Sequence, residues 1–264
     1  MTSPMIKVSN VSVVLGGSTV LESIDLQVQQ GDSLAIIGPN GAGKTTLLKC
    51  MNRLVVPRSG SIEIQGHRQD ELDQRDLAKI VGYVPQSDGN SLPFSVFEFV
   101  LMSRYPHLSP FASVTTEDKD VAYAALDKTG TRKFAERPLD TLSGGEHQQI
   151  MIAAALAQGA EVLLLDEPAT FLDYRHQVSV SNLLKELHTK ESLTLVTVTH
   201  DINVALQTST RIIALKEGRI VFDDSPEVLL ESGKLESIFD TSFESLTQPS
   251  SSVPWLIPRG SGDE

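Results

Sequence analysis

The first thirty residues alternate apolar and polar positions in two segments. Apolar side chains take every second position in residues 6–8 and 11–13, and again in residues 24–28. This alternation predicts β-strands with one buried and one exposed face, and the Gly16-Gly17 pair between the segments predicts a turn. The sequence therefore predicts an antiparallel hairpin at the start of the chain.

Four later apolar runs are continuous rather than alternating. Continuous runs of this length are typical of strands that are buried on both faces of a parallel sheet. The runs are Leu34 to Ile37, Val162 to Leu165, Leu193 to Val198 and Ile212 to Leu215. Helical patterns separate them, for example at 45–53 and 178–188, and alternating strands and helices indicate an α/β fold.

The middle of the chain has a different pattern. From Phe94 to Gln158 we find no strand pattern, and three helical patterns cover 94–102, 116–129 and 144–158. We interpret this region as a helical subdomain, at about 89–158, inserted into an α/β core at about 1–88 and 159–240. Residues 1–240 would then form a single domain, and the Ser/Pro-rich residues 241–264 a peripheral C-terminal tail.

Composition narrows the class of protein. The 264 residues carry 34 acidic and 22 basic side chains, and a net charge of −12 argues against general binding of nucleic acid. No apolar run approaches the ~18 residues that a membrane-spanning helix needs. The single cysteine, Cys50, excludes an internal disulfide and favours a reducing compartment. We expect a cytosolic protein, in which any contact with a membrane would have to run through a protein partner.

A glycine-rich loop follows the first buried run and precedes a helical pattern. It contains the pattern G-x-x-x-x-G-K-[ST], in which backbone N–H groups turn inward around the phosphates of a nucleotide. Its lysine, Lys44, would reach the β and γ oxygens, and the hydroxyl of Thr45 would hold Mg²⁺. The residues that we assign to nucleotide binding here are Gly38, Pro39, Asn40, Gly41, Ala42, Gly43, Lys44, Thr45 and Thr46.

Two further motifs suit the same chemistry. Asp166 and Glu167 directly follow a buried run, and open α/β sheets bind ligands at the carboxyl ends of their strands. Asp166 would orient Mg²⁺ and Glu167 would polarise the attacking water. Strands also end in acidic residues for structural reasons, so this interpretation depends on the loop at Lys44.

The third motif, residues 143–145, combines a favourable N-cap serine with two glycines that leave a helix N-terminus open to an anion.

Together these motifs resemble the ATP-binding subunit of an ABC transporter. LSGGE at 142–146 is similar to that family's signature sequence, GPNGAGKTT at 38–46 to its Walker A loop, and LLLDEP at 163–168 to its Walker B strand. Gln86 matches the Q-loop, Asp173 the end of the D-loop, and His200 the switch histidine. Six motifs follow the family order over about residues 5–240.

The resemblance implies a P-loop NTPase (RecA-like) core with an N-terminal antiparallel β subdomain and an inserted helical subdomain. It implies that ATP is hydrolysed with Mg²⁺, which Thr45, Gln86 and Asp166 would contact. Glu167, Gln86 and His200 would be catalytic. His200 would hold the γ-phosphate and Glu167, and Gln86 would touch the attacking water.

The resemblance also implies several partners. Two copies would form a head-to-tail dimer, in which Ser143, Gly144 and Gly145 of one copy close over the nucleotide at Lys44 of the other, with Asp173 acting across the contact. Integral membrane permease subunits would dock on the helical region, around residues 94–105, and a substrate-binding protein would act indirectly. Nucleic acid is not expected as a partner.

The segment Met102 to His107, with the sequence MSRYPH, narrows the resemblance to importers of iron-siderophores, haem and cobalamin, in which a related string reads Gly-Arg-x-Pro-His. The same string also predicts a turn that ends a helix at Pro106. Two alternatives remain: an importer ATPase for another metal or an oxyanion, and a soluble ABC ATPase of the iron–sulphur cluster assembly type. A regulatory GTPase does not fit, because the sequence has no Asn-Lys-x-Asp motif.

One departure from the family pattern concerns the base of the nucleotide. The family places an aromatic residue near position 15, where this chain has Leu15. Leu15 or Val20 would then contact adenine without a stacked ring, which removes on the order of 1 kcal/mol of binding energy. We expect weaker nucleotide affinity and looser base selectivity, but not a loss of hydrolysis.

Overall fold

A computed structural model describes residues 3–86, 93–109, 113–246 and 253–259. The contacts within the chain divide it into two compact units, one formed by Met1–Asp70 and Val196–Glu264 and the other by Glu71–Leu195. The predicted subdomain boundary at 88/89 and the parts of the predicted tail at 247–252 and 260–264 lie outside the described residues. No helix within the described ranges is both long enough and apolar enough to cross a membrane.

The elements are numbered along the chain. The strands are β1 (Ile6–Leu15), β2 (Ser18–Val28), β3 (Ser33–Ile37), β4 (Ser59–Ile64), β5 (His67–Arg68), β6 (Val81–Val84), β7 (Val162–Asp166), β8 (Thr194–Val198), β9 (Arg211–Lys216), β10 (Arg219–Asp224), β11 (Phe243–Leu246) and β12 (Trp255–Pro258). The helices are α1 (Lys44–Met51), α2 (Gln74–Ile80), α3 (Val96–Met102), α4 (Thr116–Lys128), α5 (Gly144–Ala157), α6 (Tyr174–Glu191), α7 (Ile202–Thr208), α8 (Pro226–Glu231) and α9 (Lys234–Phe239).

The predicted N-terminal hairpin is confirmed. Strands β1 and β2 pair antiparallel, with Val8 opposite Leu26, and the turn lies at Gly16-Gly17. They belong to a four-stranded sheet with the order β2-β1-β4-β5. The alternate positions of β1 are buried, as its alternating sequence predicts.

The four continuous apolar runs all form strands, and the α/β prediction is confirmed. In the first unit β3 pairs parallel with β9, with Ile36 opposite Ile213, and β10 pairs antiparallel with β9. In the second unit β6 pairs parallel with β7, with Gly82 opposite Leu163. Every residue of β3 and of β7 is buried, which explains why their sequences are apolar without alternation.

The three predicted helices of the middle region form α3, α4 and α5. Each begins with a hydroxyl side chain, Ser95, Thr115 or Ser143, in a capping box with an acidic residue three positions later. The helices pack around a shared apolar core that includes Val100, Leu126 and other residues of all three. No strand occurs among the described residues between 94 and 158.

The C-terminal hairpin was not predicted from the sequence. Strands β11 and β12 pair antiparallel within the predicted tail, and Leu256 of β12 is only 4% exposed in the core of the first unit. The Asn203 side chain on α7 donates to the Leu256 carbonyl at 2.9 Å and accepts from the Leu256 N–H at 2.7 Å. These two bonds attach the hairpin to the helix that follows His200.

Candidate active site

The loop between β3 and α1 has a backbone that requires glycine at two positions. Gly38 has φ 142°, and a Cβ there would lie 2.0 Å from the carbonyl oxygen of Leu215. Gly43 has φ 98°, and a Cβ there would lie 2.6 Å from Cδ2 of Leu21 and 2.8 Å from the Val20 carbonyl oxygen. Left-handed backbone and close packing therefore both account for the glycine spacing that the sequence motif shows.

Positive charge and N–H groups are concentrated where this loop meets α1. Gly43 is the N-cap of α1 and has no side chain with which to cap the first turn. Lys44 is 6% exposed, and its ammonium group donates to the carbonyl oxygens of Gly38 at 2.8 Å and Pro39 at 3.0 Å. A helix N-terminus beside a buried lysine is the arrangement that binds phosphate groups.

The end of β1 carries the residue predicted to contact adenine. Leu15 is 46% exposed and is followed by the Gly16-Gly17 turn, in which both glycines have a positive φ. The side chain is therefore accessible to a ligand, and its role with adenine stays a prediction.

At the end of β7, Asp166 is buried and hydrogen-bonded to the neighbouring strand. Asp166 is 3% exposed, and the hydroxyl of Tyr83 on β6 donates to its Oδ2 at 3.1 Å. Strands β6 and β7 place these side chains side by side through their parallel register. Tyr83 was not among the predicted site residues, because its contact depends on strand pairing rather than on a local motif.

The structure brings Glu167 and Gln86 together. The Glu167 Oε2 accepts a hydrogen bond from the Thr170 hydroxyl at 2.9 Å and one from the Gln86 side-chain amide at 3.4 Å. Glu167 has φ 49°, a left-handed conformation that is unfavourable for a residue with a side chain. Strained backbone of this kind persists where the surrounding structure holds it, and here the hydrogen bond from Thr170 holds the Glu167 side chain.

The signature sequence forms the N-terminus of α5. The Ser143 N–H donates to the Glu146 carboxylate at 2.9 Å, and the Ser143 hydroxyl accepts from the Glu146 N–H at 3.4 Å. The hydrogen bond from the Ser143 backbone lowers the pKa of Glu146. Ser143 and Gly144 are exposed, whereas Gly145 is buried against α6.

Asp173 is the N-cap of α6. Its Oδ1 accepts from the His176 backbone N–H at 2.9 Å and lies 2.8 Å from Nδ1 of the same histidine. The backbone bond, followed by the side-chain bond, lowers the pKa of Asp173. His176 and Thr170 were both missed in the sequence analysis. A local signal could have revealed His176, because it lies three residues after Asp173, and aspartate is a favoured N-cap residue at the start of a helix.

His200 lies between β8 and α7 and is exposed. The residue before it, Thr199, donates its N–H to the carbonyl oxygen of Ile36 at 3.2 Å, two residues before Gly38. Asp201, the residue after it, caps α7 by accepting from the N–H groups of Asn203 and Val204. Within the first unit, His200 thus lies at the end of β3 from which the glycine-rich loop starts.

The predicted metal contacts fit Mg²⁺ by the chemistry of their donor atoms. Thr45, Gln86 and Asp166 offer a hydroxyl, an amide and a carboxylate oxygen, and Mg²⁺ prefers few protein oxygens together with water and substrate phosphates. Among the described residues, no cluster of three or more His, Cys, Asp or Glu side chains forms a protein-only metal site. A metal ion that binds together with a nucleotide phosphate does not need a protein-only site.

Comparisons with known proteins give consistent results. The sequence model of the ABC transporter family matches residues 21–170. An iron(3+)-hydroxamate import ATP-binding protein of Bacillus subtilis is 36% identical over 239 residues, which cover 90% of this chain and 89% of that protein.

Two solved structures are similar over most of the chain. One is an inward-facing metal-chelate type ABC transporter, with 28% identity, a TM-score of 0.85 and coverage of 98% of this chain and 99% of that one. The other is a dimeric ATP-binding cassette in a post-hydrolysis state with ADP and phosphate, with 30% identity, a TM-score of 0.72 and coverage of 84% and 99%.

Proposed function

The chain belongs to the ABC transporter family, and from this premise we propose that it is the ATP-hydrolysing, energy-coupling subunit of a membrane importer. The cargo class is a metal chelate of the iron-siderophore, haem or cobalamin type. The observation that carries the proposal is the similarity to an iron(3+)-hydroxamate import subunit along nine tenths of the chain. The subunit would act at the cytoplasmic face of the membrane, bound to its permease.

Nucleotide binding is assigned to the glycine-rich loop and α1. The residues from Gly38 to Thr46 would surround the phosphates with N–H groups, and the Lys44 ammonium would move from its carbonyl partners to the phosphate oxygens. Leu15 would lie against adenine. Mg²⁺, held by the phosphates with Thr45, Gln86 and Asp166, would neutralise charge that develops during phosphoryl transfer.

Catalysis is assigned to Glu167, Gln86 and His200. Glu167 would accept the proton of the attacking water, and the bond from Thr170 would hold its carboxylate in place. Gln86, which already contacts Glu167, would orient the same water. His200 would donate to the γ-phosphate. Positioning and charge stabilisation supply most of the acceleration in this type of reaction.

We assign the contact with a second copy of the chain to the exposed surface around Ser143 and Asp173. Both residues are exposed, and Phe171 and Tyr174, on either side of Asp173, are 86% and 87% exposed. Exposed aromatic side chains beside a functional loop suit a protein interface. Ser143, Gly144, Gly145 and Asp173 would meet the nucleotide bound by the other copy.

We assign the docking site of the permease to a groove between α2 and the end of α3. Phe94, Phe97 and Phe99 pack against the core of the helical region, so within the predicted range 94–105 we assign docking to the C-terminal end. A groove of about 430 Å³ is lined by Asp73, Gln74, Arg75, Ala78, Met102, Ser103, Tyr105, Pro106 and Gln158. Met102 and Tyr105 are 51% and 61% exposed, and the Arg75 guanidinium lies over the Tyr105 ring at 4.6 Å. A short helix of the permease with apolar side chains would fit this groove.

Hydrolysis by purified protein tests the catalytic assignment. We expect Glu167→Gln to lower the ATPase rate by roughly 100-fold or more while ATP binding is kept, because removal of a general base costs 10²- to 10⁴-fold. Lys44→Ala is the matched control, since it should lose both binding and hydrolysis. An unchanged rate in Glu167→Gln would contradict the assignment.

Membrane fractionation separates the importer from the soluble alternative. Co-expression with its permease should move the wild-type chain from the supernatant to the membrane fraction. Tyr105→Asp should reduce that shift, whereas Val221→Asp, at an exposed position on β10, should not. A chain that stays in the supernatant in both conditions would favour an ABC ATPase without a transport role.

A further inference from the structure

The N-terminal ends of α5 and α6 meet at one histidine. A Cβ at Gly145 would lie 2.1 Å from Cδ2 and 2.2 Å from Cγ of His176. Gly145 lies within α5, where other residues adopt the backbone conformation without difficulty. The position therefore requires glycine because the His176 side chain, including its Cβ at 2.5 Å, occupies the space that another side chain would need.

The same ring is hydrogen-bonded to Asp173. Nδ1 of His176 lies 2.8 Å from the Asp173 Oδ1, which also accepts from the His176 backbone N–H. The His176 side chain is 27% exposed and the Asp173 side chain 66%. One side chain thus contacts both the signature sequence on α5 and the aspartate at the start of α6.

Neighbouring contacts join the two helices further along. A Cβ at Gly144 would lie 3.5 Å from Cδ2 of Leu172, and the Gln149 side-chain amide donates to the Ser179 hydroxyl at 2.9 Å. Ile152 of α5 and Val180 of α6 lie in one apolar core. The packing of α5 on α6 is therefore maintained without His176, whose ring lies at the end of this contact, beside the exposed residues.

We propose that His176 is a positioning residue, which sets the distance between the Ser143–Gly145 segment and Asp173. The inference rests on the proposed function, in which both elements meet the nucleotide of the second copy. Two elements that act on one bound molecule must keep a fixed separation, because a misplacement of ~1 Å can cost 100-fold in rate. With His176 between them, the two elements move as one body.

Three substitutions separate the effect of the ring's volume from the effect of its hydrogen bond. His176→Ala removes its volume and its hydrogen bond. His176→Asn keeps a donor close to the position of Nδ1, and His176→Phe keeps the volume without the donor. His188→Ala is the control, because His188 lies near the other end of α6 and bonds the Leu193 carbonyl oxygen at 3.1 Å.

The experiment measures ATP binding and dimerisation separately, in the Glu167→Gln background. Sedimentation gives the dimer dissociation constant with Mg-ATP, and a fluorescent ATP analogue gives the affinity of the single chain. We expect His176→Ala to weaken dimerisation by about tenfold or more, which is about 1.4 kcal/mol of binding free energy, with unchanged single-chain affinity. His176→Asn should dimerise more tightly than His176→Phe, and His188→Ala should match the parent.

A double substitution tests the contact with Gly145. Gly145→Ala should prevent dimerisation because the new methyl group collides with the imidazole ring. If the His176 side chain is the cause, Gly145→Ala combined with His176→Gly, which also removes the Cβ that lies 2.5 Å away, should dimerise as well as His176→Gly alone, which is a strong deviation from additivity.

The outcomes distinguish this inference from the proposed function. If the Glu167→Gln parent fails to dimerise with Mg-ATP, the proposed function is wrong. If the parent dimerises and His176→Ala has the same dissociation constant, the positioning role is overturned. If His176→Ala lowers the unfolding temperature, the comparison of His176→Asn with His176→Phe decides: equal dissociation constants overturn the role, and tighter dimerisation of His176→Asn supports it.

Discussion

Arg104 and His107 show how single residues of the MSRYPH segment act. The sequence suggested a turn at Pro106 and a marker of cargo class. In the structure, Arg104 donates to the Ala157 carbonyl oxygen at 2.9 Å, and Nε2 of His107 lies 2.8 Å from the Gln158 carbonyl oxygen. Both side chains therefore satisfy carbonyl groups at the C-terminal end of α5, the helix whose other end is the signature sequence.

Arg104 also pairs with the buried carboxylate of Asp118, and the hydrogen bonds to this carboxylate make stability depend on pH. Asp118 accepts from the Thr115 hydroxyl at 2.7 Å, from the Thr115 N–H at 3.0 Å and from Arg104 at 3.2 Å. The bonds from Thr115, followed by that from Arg104, lower the pKa of Asp118. Because the folded pKa lies below the unfolded value of about 3.9, the stabilisation is present above that pH and is lost as pH falls through the folded pKa.

Asp118→Asn should therefore lower the free energy of unfolding at pH 7, and the difference from wild type should shrink below about pH 4. Urea unfolding at pH 7 and at about pH 3 measures it. Asp120→Asn, at an exposed position on the same helix, is the control and should change little at either pH. A difference between Asp118→Asn and wild type that is equal at both pH values would contradict the role given to the carboxylate.

At the scale of elements, α7 and the C-terminal hairpin depend on one side chain. Asn203→Ala would leave the N–H and the carbonyl group of Leu256 without their side-chain partner. Buried polar groups without a partner cost about 1–3 kcal/mol, so we expect a loss of stability of that order. Chemical denaturation measures it, with Gln207→Ala at an exposed position of α7 as the control. Equal stability of the two variants would show that the hairpin does not depend on this amide.

The elements that were predicted are those whose burial repeats along the sequence. Strand β1 buries alternate residues and β3 buries all five, so periodicity alone revealed both. Helix α2 buries Leu77 alone, and strand β12 buries Leu256 alone, so neither has a repeating pattern. The hairpin is also tied to Asn203, more than fifty residues earlier, and a non-local contact of this kind leaves no local signal.

The residues of the candidate site also divide into those that the sequence reveals and those that only the fold brings together. The glycine-rich loop, the acidic end of β7 and the signature sequence were predicted, because each is a contiguous segment whose chemistry follows from its own residues. Tyr83 and His176 were missed, because they reach Asp166 and Gly145 through strand pairing and helix packing. The assigned roles of the predicted residues remain proposals that the experiments above test.

For the molecule as a whole, the proposed mechanism requires two copies of the chain. Lys44 and Ser143 belong to different units of the chain, and the proposed mechanism brings each into contact with a nucleotide shared with the other copy. A head-to-tail arrangement of this kind closes with two-fold symmetry and gives two equivalent sites. Binding of ATP would then join the copies, and hydrolysis would release them, which is how the chain would transmit work to a permease.

Site-specific crosslinking tests this claim most directly. Asn40→Cys and Ser143→Cys place thiols at exposed positions of the loop and of the signature sequence. Burial raises the pKa of the native Cys50 thiol to about 12, so this thiol does not compete with the introduced cysteines for crosslinking. The two variants, each in the Glu167→Gln background, are mixed with Mg-ATP and a mild oxidant. If two copies share each nucleotide, a covalent dimer forms that joins one chain of each kind and depends on ATP. Chains that stay uncrosslinked with ATP bound, or that link Ser143→Cys only to itself, would contradict it.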